Sequence, residues 1–132
     1  MTLELTWDND DHTCLLMTFD QLWSWAEVRR IVRVGAVMLN DGNTHPVDII
    51  LDGSRTITLM KSDTHVHTRQ ILANVRQHPR VGRIVVVGSS AITNSFLMVF
   101  LRVAAGSINE DYLFFGTLEE ARQHLTDNPT IP

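Results

Sequence analysis

The chain has 132 residues, which is the size of one domain. Its formal net charge is −4 with neutral histidines, and its basic residues do not form a broad cluster, so the sequence argues against nonspecific nucleic-acid binding. The single cysteine, Cys14, cannot form an internal disulfide and lacks the spacing of a zinc site; we expect a buried residue and a cytoplasmic protein. We expect no signal peptide, because the N-terminal segment is acidic, and no membrane span, because the longest apolar run is too short to cross a bilayer.

The N-terminal part of the chain predicts a hairpin and then a long helix. Leu3–Trp7 alternates apolar and polar residues, and Thr13–Met17 is a second strand after an acidic turn. The turn offers oxygen ligands to a hard cation, but calcium-loop spacing does not follow, so we predict a solvated turn. Apolar residues then recur at helical spacing, which predicts a helix over Asp20–Leu39 with Thr18 or Asp20 as its N-cap.

Three further strands follow, each with a helix after it. The strands are predicted over three apolar segments: Val47–Leu51, Arg83–Val87 and Tyr112–Phe115. The helices are predicted over Ser62–Gln77, over Ser90–Ala105 and, after a capping box that starts at Thr117, to about Leu125. The order ββαβαβαβα predicts a single α/β domain over residues 1–126, with residues 127–132 as a C-terminal tail. We expect a mixed, mostly parallel sheet of about five strands with helices on both faces.

Three segments carry a family resemblance: VDIILDGS (Val47–Ser54), RVGRIVVVGSS (Arg80–Ser90) and YLFFGTLEEARQHL (Tyr112–Leu125). Together they resemble the STAS and anti-sigma-factor-antagonist-like domains, in the bacterial branch related to the CRAL-TRIO lipid-transfer fold. The likeness covers most of the chain as a pattern of strands and helices. It implies a non-enzymatic regulatory module that binds a protein partner.

The residues after the third strand depart from the pattern of that family. Its antagonist proteins carry an Asp-Ser-Ser-Gly type motif at the start of the next helix, where a kinase partner phosphorylates a serine. The matching positions read Met60-Lys61-Ser62-Asp63, so only Ser62 keeps its residue type. Sites in α/β sheets gather beyond the carboxyl ends of strands. The candidates for partner binding or a phosphoswitch are therefore Asp52, Ser54, Ser62 and Asp63, although a serine is also a common N-cap.

Gly88, Ser89 and Ser90 join a strand to a helix, which is the geometry that binds phosphate or carboxylate groups. The three spaced glycines of a dinucleotide site and the G-x-S-x-G elbow of a hydrolase are absent from the sequence. These three residues are anion-binding candidates, and helix capping by either serine is the simpler interpretation.

A metal site or an active site is considered around Asp63. His65 and His67 form a His-x-His pair that suits a metal when the segment is extended, but on a helix the two rings diverge. An enzyme would use Asp52, Asp63 and His65, and nothing in the sequence relates their positions in space. We therefore expect no metal, no cofactor and no catalytic activity.

The segment Phe96–Ala105 is apolar all round except for Arg102. Three interpretations are open: burial within the fold, a homodimer face, or a wall of an apolar pocket beside the helix Ser90–Ala105. We predict a homodimer, with a small-molecule or lipid-binding protein as the alternative function. The candidate residues for either surface are Phe96, Val99, Phe100, Arg102 and Val103.

Overall fold

The computed structural model describes residues 3–20, 23–55, 70–71, 74–75, 77–88 and 112–129. Its strands are Leu3–Trp7 (β1), Cys14–Phe19 (β2), Val47–Asp52 (β3), Val81–Val87 (β4) and Tyr112–Phe115 (β5). Its helices with defined bounds are Trp25–Leu39 (α1) and Leu118–Asp127 (α2). No helix in this described part is long and apolar enough to cross a bilayer.

The five strands form one sheet in the order β1-β2-β3-β4-β5. β1 pairs with β2 in the antiparallel direction, and the remaining neighbours are parallel. The predicted α/β domain with a mixed, mostly parallel sheet is therefore confirmed. Because β2, β3 and β4 each pair on both sides, they form the stiff middle of the sheet.

The helices cover opposite faces of the sheet, as the sequence predicts. Val28 and Ile31 of α1 pack with Leu3 and Met17, which point to one face. Ala121 of α2 packs on the other face, in a cluster with Cys14, Ile50, Val85 and Val87. The two clusters place the core on both sides of one sheet.

The first helix begins later than the apolar spacing predicts. Thr18 belongs to β2, so it is not a cap, and the N-cap is Ser24, whose hydroxyl accepts a hydrogen bond from the Glu27 backbone N–H at 3.2 Å. Trp23 therefore precedes the helix. It packs edge-to-face against Trp25, and both indoles contact the core cluster beneath α1. A helical wheel would separate these two rings, and the later start of the helix brings them together.

The last helix follows the predicted cap. The Thr117 hydroxyl accepts from the Glu120 backbone N–H at 3.1 Å, and the helix continues to Asp127, two residues beyond the predicted end. Residues 70–71 and 74–75 are helical and lie in the segment predicted as the second helix, and Ile71 packs in the core beneath α1. The predicted helix Ser90–Ala105 lies outside the described residues.

Arg80 ties three elements together at the amino ends of β3 and β4. Its guanidinium donates to the Leu39 carbonyl at the end of α1 and to Asp41 Oδ1 at 2.7 Å. Its Nε donates to the His45 carbonyl at 3.0 Å, just before β3. The guanidinium can be buried there because carbonyl groups and a carboxylate accept hydrogen bonds from it, and a helix end favours a positive charge.

Candidate functional site

One candidate surface lies where β3 and β4 end. Asp52 closes β3, and its Oδ1 accepts from the Ser54 backbone N–H at 3.0 Å. Gly53 N–H donates to the Val87 carbonyl at 2.8 Å, which brings the end of β4 and Gly88 alongside. We name Asp52, Gly53, Ser54, Arg55 and Gly88 the carboxyl-end surface; Ser54 is partly exposed and Arg55 is exposed, and the other three residues are buried beneath them. Three of the predicted site residues, Asp52, Ser54 and Gly88, are brought together here.

The other predicted site residues lie outside the described part of the chain. These are the partner-binding candidates Ser62 and Asp63, the anion-binding candidates Ser89 and Ser90, and the dimer or pocket candidates Phe96, Val99, Phe100, Arg102 and Val103. His65 and His67 lie there too. The phosphoswitch, the homodimer face and the apolar pocket all stay predictions.

A second site lies at the opposite end of the sheet, where α2 ends over the amino ends of β2 and β3. It is an open pocket of about 470 Å³. Its polar wall comes from the β1–β2 turn, the start of β2, the segment before β3, the start of β3 and the helix α2: Asp8, Cys14, His45, Asp48 and Arg122. Leu125 and two prolines, Pro46 and Pro129, supply apolar surface. We call this the amino-end pocket; its volume is within the range that small molecules occupy.

Asp8 and Arg122 form one wall of the amino-end pocket. Arg122 Nη2 lies 2.6 Å from Asp8 Oδ1, and Arg122 Nε lies 3.1 Å from Asp8 Oδ2. This fork joins α2 to the β1–β2 turn across 114 residues of chain, and the hydrogen bond to Asp8 raises the pKa of Arg122. The Asn9 side chain also forms two hydrogen bonds with Thr13. The side chains of Asp8 and Asn9 in the acidic turn are therefore engaged by other residues of the protein.

Asp48 lines the pocket and lies at a bulge in the sheet. The register of β3 and β4 shifts there, so Gly82 and Arg83 together face the single residue Asp48. The Asp48 carboxylate accepts from the Arg83 backbone N–H at 2.8 Å and from Arg83 Nη2 at 2.9 Å. The carboxylate thus satisfies a backbone donor that the irregular ladder would otherwise leave unpaired.

His45 lines the pocket and makes two polar contacts through one ring nitrogen. Its Nε2 lies 2.8 Å from the His12 carbonyl and 3.3 Å from Arg80 Nη2. The carbonyl contact needs a proton on Nε2, whereas the guanidinium contact needs an acceptor there, so the two contacts favour opposite tautomers.

Cys14 is buried at the back of the pocket. The pKa of its thiol is raised from 9.0 to about 12; burial is the largest cause, and the nearby carboxylates of Asp8 and Asp48 add to the rise while Arg122 and Arg83 oppose it. The thiol therefore stays protonated at neutral pH, which argues against a cysteine nucleophile. Burial of Cys14 confirms the interpretation made from its apolar segment.

The amino-end pocket was missed by sequence reasoning, which follows strand ends and motifs. One signal was present: Asp48 is a lone carboxylate in an otherwise apolar strand segment. Such a residue needs a cationic or N–H partner when buried. Strand register places Gly82 and Arg83 opposite Asp48, and this register cannot be read from the sequence. Within the described residues, no group of three or more acidic, histidine or cysteine side chains is placed to hold a metal.

Comparison with protein-family models, with curated proteins and with solved structures found no match to this chain.

Proposed function

We propose that the chain is a non-enzymatic regulatory module that binds a protein partner through the carboxyl-end surface. The STAS-like segments of the sequence support this proposal, as does the mixed sheet with helices on both faces. The observation that carries it is the joining of the Asp52–Ser54 turn to the end of β4 by the Gly53–Val87 hydrogen bond of 2.8 Å.

This geometry suits partner recognition because a polar turn is held on a rigid base. Asp52 is buried and orients the Ser54 backbone N–H, while Ser54 is partly exposed and Arg55 is exposed. A partner would therefore meet a serine hydroxyl and a guanidinium without first ordering the turn, which lowers the entropic cost of binding. We expect the module to act in the cytoplasm and to form a homodimer through the Phe96–Ala105 segment.

The test begins with a partner copurified from source cells and then purified for direct binding measurements. We expect Ser54→Glu to weaken its binding by about tenfold, because the new carboxylate would lie beside Asp52. Ser62→Glu should weaken binding similarly if Ser62 is the switch residue, and Ser62→Ala should bind as the natural chain does.

The matched control is Thr44→Glu, which places the same charge on an exposed residue at the other end of the sheet. It should bind the partner normally. If Ser54→Glu binds as tightly as Thr44→Glu, the carboxyl-end surface is not the binding surface. If the two Ser62 variants bind identically, the phosphoswitch is wrong.

A further inference from the structure

His78, at the amino end of the sheet, is held in one protonation state by its two contacts. Its Nδ1 accepts from the Arg80 backbone N–H at 3.2 Å, and its Nε2 lies 3.3 Å from Asn40 Oδ1. A backbone N–H can only donate, so Nδ1 carries no proton and the neutral ring carries its proton on Nε2. That Nε2–H donates to the Asn40 oxygen, so both contacts require the same neutral ring.

The two contacts of His78 join the end of α1 to the start of β4. Asn40 is the C-cap of α1, and Arg80 is the residue before β4. The Val47 backbone N–H also donates to the Arg80 carbonyl at 2.7 Å, so the same residue meets the start of β3. We call Asn40, His78 and Arg80 the His78 latch.

A second proton on the His78 ring is incompatible with this arrangement. Nδ1 would then be a donor that faces the backbone donor of Arg80, so the hydrogen bond between them is lost. Histidine side chains change charge between pH 5 and 8. The latch is therefore complete only while the ring is neutral, and the hydrogen bond is lost as the pH falls.

Three other titratable groups among the described residues face the Arg80 guanidinium or its partner carboxylate. Asp41 pairs with Arg80, and its pKa is lowered to about 2, chiefly by the hydrogen bond from the Asn43 backbone N–H, so it stays ionised. His45 Nε2 lies 3.3 Å from Arg80 Nη2, so a charged His45 ring would add repulsion at the guanidinium. His12 Nδ1 lies 3.6 Å from Asp41 Oδ2 and acts in the opposite sense, but its side chain is 43% exposed, which makes the pair weak.

We propose that the His78 latch is a pH-sensitive switch, which holds the α1–β3 connection, residues 40–46, against the start of β4 at neutral pH and releases it as the ring takes up a proton. The connection carries His45 and Pro46, which line the amino-end pocket. Release therefore loosens one wall of that pocket. The carboxyl-end surface lies at the other end of the sheet, so this proposal does not rest on partner binding there.

Native-state hydrogen exchange of the full chain tests the latch at single amides. Protection factors, which correct for the intrinsic effect of pH on exchange, are compared at pH 7.5 and pH 5.5. We expect the protection of the Arg80, Val47 and Val81 amides to fall by about three- to tenfold at pH 5.5, as the loss of one hydrogen bond would give. The amides of Gly53 and Gly88, which are bonded at the carboxyl ends of the strands, should keep their protection.

His78→Asn separates the hydrogen bond from the proton. An asparagine oxygen accepts from the backbone N–H two residues on, as the Asp41 and Asp52 side chains do in this fold, and it does not titrate. This variant should protect the Arg80 amide equally at both pH values. His78→Ala lacks the acceptor and should show low protection at both. His124→Asn is the matched control, since it removes a histidine of α2 on the other face of the sheet and should retain the full effect of pH.

The proposal is overturned if the natural chain protects the Arg80 amide equally at both pH values, or if folded His78→Asn loses protection at pH 5.5 or behaves like His78→Ala. It is also overturned if the Gly53 and Gly88 amides lose protection to the same extent, because acid would then act on the whole fold. Partner binding is measured at neutral pH on Ser54 and Ser62 variants, so failure of that proposal is distinguishable from failure of this one.

Discussion

Cys14 shows how burial and charge act together on one atom. Its side chain lies in the core cluster beneath α2 and also forms the back of the amino-end pocket. Burial is the largest cause of its raised pKa, followed by the carboxylates of Asp8 and Asp48. The folded chain therefore keeps the thiol proton to about pH 12, whereas an unfolded chain releases it near pH 9.0.

This difference predicts a loss of stability at alkaline pH. The folded state holds the thiol proton more tightly than the unfolded state does. The contribution of Cys14 to the free energy of unfolding is therefore fully present below pH 9.0 and is lost as the pH rises towards 12. The slope is at most about 1.4 kcal/mol per pH unit. Urea unfolding of the natural chain and Cys14→Ala, measured from pH 7 to 11, should give curves that converge above pH 9.0. Parallel curves would contradict this account.

At the scale of secondary-structure elements, the bulge between β3 and β4 depends on a close approach of backbone to side chain. A Cβ atom on Gly82 would lie 2.8 Å from Asp48 Oδ1, nearer than side chains tolerate. The carboxylate that pairs with Arg83 occupies that space. Gly82 is therefore required by packing, and its requirement follows from the register of the two strands.

We expect Gly82→Ala to destabilise the fold by about 1–3 kcal/mol, because the new methyl group must displace Asp48 from Arg83. The measurement is the free energy of unfolding from urea titration, with thermal unfolding as a second readout. Gly116→Ala is the matched control, since no atom of the described residues lies within 4 Å of its added Cβ, and it should change stability by less than about 0.5 kcal/mol. Equal effects of the two substitutions would show that steric contact with Asp48 is not the cause.

Across the whole molecule, α2 is held at its start and at its middle by different interactions. The Thr117 cap fixes its start, and Arg122, the fifth of its ten residues, joins it to the β1–β2 turn through Asp8. Ala121 and Leu125 add apolar contact with the sheet. The fork therefore links the last helix to the first hairpin and shapes the amino-end pocket between them.

A double-mutant cycle on Asp8→Ala and Arg122→Ala measures this link. We expect a coupling energy of about 0.5–1 kcal/mol, since Arg122 is half exposed and water weakens the pair. Adding 1 M salt should reduce the coupling. The matched cycle on Gln123 and Asp127, which contact each other within α2, should give a smaller coupling that salt does not change. A coupling near zero for the first pair would mean that it does not anchor the helix.

Local patterns were enough for much of the fold. β1 and β5 have the predicted bounds, and Thr117 caps α2 as its spacing with Glu120 predicts. The predicted start of α1 was wrong because several polar residues could cap the helix, and the cap is Ser24. On the carboxyl-end surface, Asp52 and Ser54 could be named in advance because strand ends are visible as changes in composition.

The sequence by itself determined the α/β class, the succession of the five strands along the chain and the burial of Cys14, because hydrophobic periodicity and turn residues act over a few neighbours. Only the tertiary structure decided which charged groups meet. Arg122 contacts Asp8 across the whole chain, and Arg83 reaches Asp48 through a one-residue shift in register. Such pairings depend on strand register and helix placement, which are set by packing of the complete core. The amino-end pocket therefore results from strand register and helix placement.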